Sequence, residues 1–129
     1  MHIVAATHDP ADLASVALKA YGRITKAWDL SQKEAAGLAD MSESTWKRAK
    51  KPGYAGDLTK DQLLRLSALI GIYKALDLYF AAPLARAWMT RPNSGPLFGG
   101  ARPVDAAIED GLPQILMIRT YLDALRGGA

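Results

Sequence analysis

The sequence predicts an all-α protein, and three observations carry that expectation. No stretch alternates apolar and polar residues, and β-branched residues are few, so no strand signal emerges. Two Ser/Thr-x-x-Glu/Gln capping boxes, Ser31–Glu34 and Thr59–Gln62, each precede an apolar-periodic run and mark helix starts. Between Lys60 and Phe80 the chain is apolar almost all the way round a helix (Leu63, Leu66, Leu69, Ile72, Leu76 and their neighbours). Such a helix must be covered on every side.

In order along the chain, Asp9-Pro10 reads as a cap followed by proline at the first helical position. The helix from Pro10 would reach about Trp28, turning Leu13, Val16, Ala17, Ala20, Tyr21, Ile24 and Trp28 inward, with Gly22 as a break or kink. Ser31 to Lys51 then reads as two short helices around a tight turn. Ser31 and Glu34 open the first, and Ala35, Leu38 and Ala39 form its inward stripe. Asp40 tolerates the left-handed turn that closes it, and Ser42 caps the second, which buries Trp46 and Ala49. Two capped helices this close form a helix-turn-helix. Lys51 to Gly56 is a loop. The long helix from Lys60 to Phe80 follows, then a short one over Leu84–Met89. Arg91 to Pro103 holds three prolines and three glycines and must be a loop, with the Trp88–Phe98 stretch read as an exposed protein-binding surface. Val104–Asp110 and Leu112–Leu125 are the last helices, separated by Gly111. The closing helix carries a stripe of Ile115, Ile118, Leu122 and Leu125.

Composition excludes several classes of chemistry. The absence of cysteine removes disulfides, thiolate metal sites and cysteine nucleophiles. The two histidines, His2 and His8, stand near the N-terminus, and no glycine-rich phosphate loop follows a strand. No enzyme, metal site or cofactor is expected. No signal peptide is visible at the start, and Arg65, Lys74 and Asp77 interrupt the most apolar segment, so a cytoplasmic, soluble chain is the expectation. Residues 19–51 carry eight bases against four acids, which concentrates the small net charge of +3 on and before the helix-turn-helix. That is where a polyanion binder needs it. The second helix would enter a DNA major groove, with Glu43, Ser44, Thr45, Lys47, Arg48, Lys50 and Lys51 as the DNA-binding set. Hydroxyls and Arg48 suit base edges, and the lysines suit phosphates.

In the C-terminal half, Trp88, Pro92-Asn93, Leu97, Gly99-Gly100, Arg102-Pro103, Asp105, Gly111 and an amphipathic closing helix follow one another in an order that resembles the toxin-binding domain of Xre/MbcA/ParS-type antitoxins. Residues 31–80 resemble the Xre-like helix-turn-helix that accompanies it, so the likeness spans residues 20 to 126. Ala106 and Ala107 replace two expected leucines, and Ser94-Gly95-Pro96 is inserted between Asn93 and Leu97. The resemblance implies a partner: a RES-domain toxin that consumes NAD or ADP-ribosylates a target, neutralised by occlusion of its cleft. It also implies a homodimer formed through the central helices and repression of the shared operon. Residues 1–80 would be the DNA-binding region and 81–129 the toxin-binding one. The toxin-binding residues would be Trp88, Pro92, Asn93, Leu97, Gly99, Gly100, Arg102, Pro103, Asp105, Arg119, Leu122 and Arg126. Arg119 and Arg126 could offer a cation to a cleft built for a dinucleotide's phosphates. The alternative is a free-standing helix-turn-helix regulator whose C-terminal half only oligomerises.

Overall fold

The computed structural model describes residues 10–126, less the side chains at its two ends, Pro10, Ala11 and Arg126. Seven α-helices and one 3-10 turn make up the described residues, with no strand among them. They are α1 (Pro10–Ala27), α2 (Gln32–Leu38), α3 (Glu43–Ala49), α4 (Lys60–Tyr79), α5 (Ala82–Ala87), the 3-10 turn Trp88–Thr90, α6 (Pro103–Asp110) and α7 (Leu112–Arg126). The Asp9 cap expected before α1, like His2 and His8, lies outside the described residues.

The three helix starts expected from Ser31, Ser42 and Thr59 are present. Ser31 accepts from the Glu34 N–H at 3.0 Å, and Glu34 Oε1 accepts from the Ser31 N–H at 2.9 Å. Thr59 and Gln62 repeat the reciprocal arrangement at the head of α4. Ser42 accepts from the Thr45 N–H at 3.1 Å and so starts α3. Both boxes also reach beyond their own helix. Gln62 Nε2 donates to the Asp40 carbonyl at 2.9 Å, tying α4 to the α2–α3 turn. The second oxygen of Glu34 accepts from Arg102, 68 residues away.

Two aspartates in left-handed backbone make the tight turns: Asp40 (φ 58°), as expected, and Asp29 (φ 56°) between α1 and α2. A short polar side chain lowers the cost of that conformation.

The core is continuous from end to end. α4 lies at its centre, packed against α1, α5 and α7, and it buries Leu66, Leu69, Ile72 and Leu76 completely. Its all-round apolar character is thus met mostly within one chain, leaving Leu64 and Leu78 exposed. Tyr21, fully buried, ties α1 to the helix-turn-helix. Its hydroxyl donates to the Ala35 carbonyl at 2.7 Å, and its ring meets Trp46 edge-on at 5.2 Å. Burial with no compensating charge pushes the Tyr21 hydroxyl pKa far above its ordinary value.

Four expectations are corrected. Gly22 does not break α1, which runs unbroken to Ala27. The inward face of α1 begins only at Ala17 and Leu18, and Leu13 and Val16 are 50% and 67% exposed. Leu125 likewise leaves the buried stripe of α7. The two aromatic ends of the Trp88–Phe98 stretch are not part of an exposed surface, because they meet edge-on at 5.7 Å within the core, and only the loop between them stays accessible. Edge-to-face pairing buries two large rings against each other and takes both out of solvent.

Candidate DNA-binding and toxin-binding surfaces

α3 separates its residues into two sets. Trp46 and Ala49 are buried, whereas Glu43, Ser44, Lys47, Arg48, Lys50 and Lys51 are exposed. Thr45 is half-buried, and its hydroxyl is engaged by Ser42 Oγ at 2.9 Å and by Arg48 at 3.5 Å. One exposed helical face therefore offers a hydroxyl, a carboxylate and a growing run of cations toward its C-terminal end. The helix dipole favours cations at that end, and a phosphate backbone would meet them there.

In the C-terminal half the residues singled out from the sequence fall into three groups. The first builds the core: Trp88 and Leu122 are buried in it, and Pro103, at the first turn of α6, is buried too. In the isolated chain these three are packing residues, with Trp88 9% exposed, so their burial gives no support to the toxin-binding role expected of them.

The second group closes the loop. The Asn93 N–H donates to the Ala101 carbonyl at 3.0 Å, and the Gly100 N–H donates to the Asn93 carbonyl at 2.8 Å. Asn93 Oδ1 accepts from the Gly95 N–H at 2.9 Å. Gly99 (φ 56°) and Gly100 (φ 96°) supply the left-handed backbone that this closure needs.

The third group is an ion-pair cluster. Arg102 donates from Nε and Nη2 to the two oxygens of Asp105 at 2.8 and 2.9 Å, and from Nη2 to Glu34 Oε2 at 2.7 Å. Arg102 is thus held between α6 and α2, and its guanidinium pKa is raised by the Asp105 and Glu34 hydrogen bonds. The same arginine holds Asp105 below the usual carboxylate range. Burial pushes Glu34 up, but the Ser31 N–H and Arg102 outweigh it and hold the carboxyl below its ordinary value. Close approach of the two helices continues at Gly37, where a Cβ would stand 3.1 Å from Ile108 Cγ2.

Arg119 lies across α4 rather than away from the molecule. A Cβ at Gly71 would overlap its guanidinium, and Asp123 is 3.6 Å from its Nε. Pro92, Leu97, Gly99 and Gly100 remain at least partly accessible. Leu97 belongs to an open apolar patch with Pro96, Leu116, Met117 and Tyr121 that sequence reasoning missed. Leu116 and Met117 are 46% and 52% exposed there. The signal is present in the sequence, since both lie off the Ile115–Ile118–Leu122 stripe of α7.

Comparison with known proteins gives this arrangement its context. Residues 8–71 match the antitoxin Xre-like helix-turn-helix domain, and residues 75–128 match the antitoxin Xre/MbcA/ParS C-terminal toxin-binding domain. The chain belongs to the Xre/MbcA/ParS antitoxin family. The antitoxin is also similar to a protein of Sinorhizobium fredii (strain NBRC 101917 / NGR234) described as uncharacterized protein y4oB. The two are 37% identical over 113 residues, covering 86% of this chain and 84% of the relative. The two family matches meet within α4, the helix that packs on both α1 and α7. Among the described residues of the antitoxin, no helix is long and apolar enough to cross a membrane.

Proposed function

We propose that this antitoxin neutralises a RES-domain toxin, one that consumes NAD or ADP-ribosylates a target, by covering its active-site cleft, and that α3 binds operator DNA to repress the shared operon. The observation that carries the toxin-binding part is the open apolar patch of Pro96, Leu97, Leu116, Met117 and Tyr121. Exposed apolar surface of this kind, on a domain whose family binds toxins, is what a stable protein interface needs at its centre. Leu97 is the family-motif residue within it, and Pro92, Asn93, Gly99, Gly100, Arg102, Asp105 and Arg119 form the remainder of the expected set that stays at least partly accessible. In this reading residues 1–80 serve DNA and residues 81–129 serve the toxin, and both act in the cytoplasm.

DNA binding is supported by the exposed row of Ser44, Lys47 and Arg48 on a helix anchored by Ser42 and Trp46. Homodimerisation has its support in the exposed Leu64 and Leu78 of α4. Light scattering at micromolar concentration should give a dimer mass; a monomer would remove that part.

The decisive experiment is co-expression with a RES-domain protein encoded beside the gene. Neutralisation should appear as a co-purifying complex, restored growth and preserved cellular NAD. Loss of all three with L116D/M117D, in a variant that remains folded, would assign the patch. A complex unaffected by those changes would move the interface elsewhere. Absence of any complex would favour the free-standing regulator.

A further inference from the structure

A groove of about 530 Å³ runs between α1 and the end of α3. Lys19, Arg23 and Lys26 line one wall at i, i+4 and i+7, so they share one face of α1. Lys50 and Lys51 line the other wall, and Asp29 is the single carboxylate among the described lining residues. All five cations are exposed, and none forms an ion pair among the described residues. Helix dipoles account for cations at two helix ends, Lys26 and Lys50. They do not account for Lys19 and Arg23, or for both sets converging on one groove.

We propose that this groove seats one sugar-phosphate strand of the duplex whose major groove receives α3, with Lys19, Arg23 and Lys26 as phosphate contacts outside the helix-turn-helix. The proposal rests on the DNA-binding reading above. Lys50 and Lys51 follow α3 directly, so the groove is continuous with the cationic end of that helix. The lengths agree as well. Lys19 to Lys26 covers about 10 Å of helix, and a duplex whose axis runs along α1 presents about three phosphates of one strand over that length. Charges of this kind position a duplex without reading its bases. The uneven charge of residues 19–51 thereby acquires two roles, one on α3 and one on α1.

The test measures binding of the full-length protein to a mixed-sequence DNA duplex of about two helical turns, by fluorescence anisotropy over a salt series. K19A/R23A/K26A should flatten the slope of log affinity against log salt by about 2 to 3, at roughly 0.9 for each phosphate no longer neutralised. The weakening should be the same on a second duplex of unrelated sequence. K50Q/K51Q, on the opposite wall, guards against a folding defect in the triple variant and should flatten the slope by about 1 to 2. If both leave slope and affinity at the wild-type values while K47A/R48A weakens binding, the groove proposal is overturned and the recognition helix stands. If wild-type protein fails to bind either duplex at low salt, the DNA-binding reading itself falls and the groove goes with it.

Discussion

Within the helix-turn-helix, the residues that identify the motif and those that face outward are separate sets along one short helix. Ser42, Trp46 and Ala49 build α3, and Ser44, Lys47 and Arg48 are left exposed. In the C-terminal module the identifying residues are mostly builders. Trp88 and Pro103 are buried, Asn93 and the two glycines close the loop, and Arg102 and Asp105 hold each other and Glu34. The exposed apolar surface there belongs to α7 and to Pro96 and Leu97. A recognisable motif can therefore mark the scaffold of a domain while its exposed apolar surface lies beside it.

Four variants bear on that contrast. Trp88→Ala should act as a core deletion, lowering unfolding free energy by about 3–5 kcal/mol, read by urea denaturation. If it abolished toxin binding with unchanged stability, Trp88 would be a contact residue and the contrast would fail. L116D/M117D should do the reverse. Stability should stay within about 0.5 kcal/mol, while toxin capture, measured by calorimetry or pull-down, weakens by about 2 kcal/mol or more, the range of an interface hot spot.

Glu34→Gln should cost about 1 kcal/mol, since it weakens a capping box and an ion pair together. The sign with pH follows from the lowered folded-state pKa of Glu34. Its contribution is complete above the unfolded value of about 4.3 and is lost as pH falls through the lower folded value. The wild-type and E34Q stability curves should therefore converge in acid; parallel curves down to the lowest pH would count against the ion pair. Smallest of all, Ser42→Ala should lower thermal stability by about 1 kcal/mol or less and leave toxin capture intact, as expected for a cap outside the proposed toxin-binding half.

What is legible in the sequence is local. Ser31–Glu34, Thr59–Gln62, Ser42 and Asp40 act within a few residues of themselves, so spacing alone locates the helices and the turn. The buried and exposed faces of α3 follow for the same reason. Periodicity does not say where a stripe runs out of partners, and hence it turns Leu13, Val16 and Leu125 inward although they are exposed. The pairing of Trp88 with Phe98 has no periodic signal, because the loop between them is irregular. Longest in reach is the Arg102–Glu34 contact, which joins residues 68 positions apart and leaves no trace in either segment alone.

That contact has a consequence for anyone who would rearrange this protein. One carboxylate starts the first helix of the motif through Oε1 and anchors the C-terminal module through Oε2. A chimaera grafting residues 81–129 onto a different helix-turn-helix would keep the Arg102–Asp105 pair and lose the acceptor across the junction, unless the new host also supplies an acid at the third position of its capping box. The junction of the two halves is thus written partly in a residue that either half, taken alone, would claim as its own.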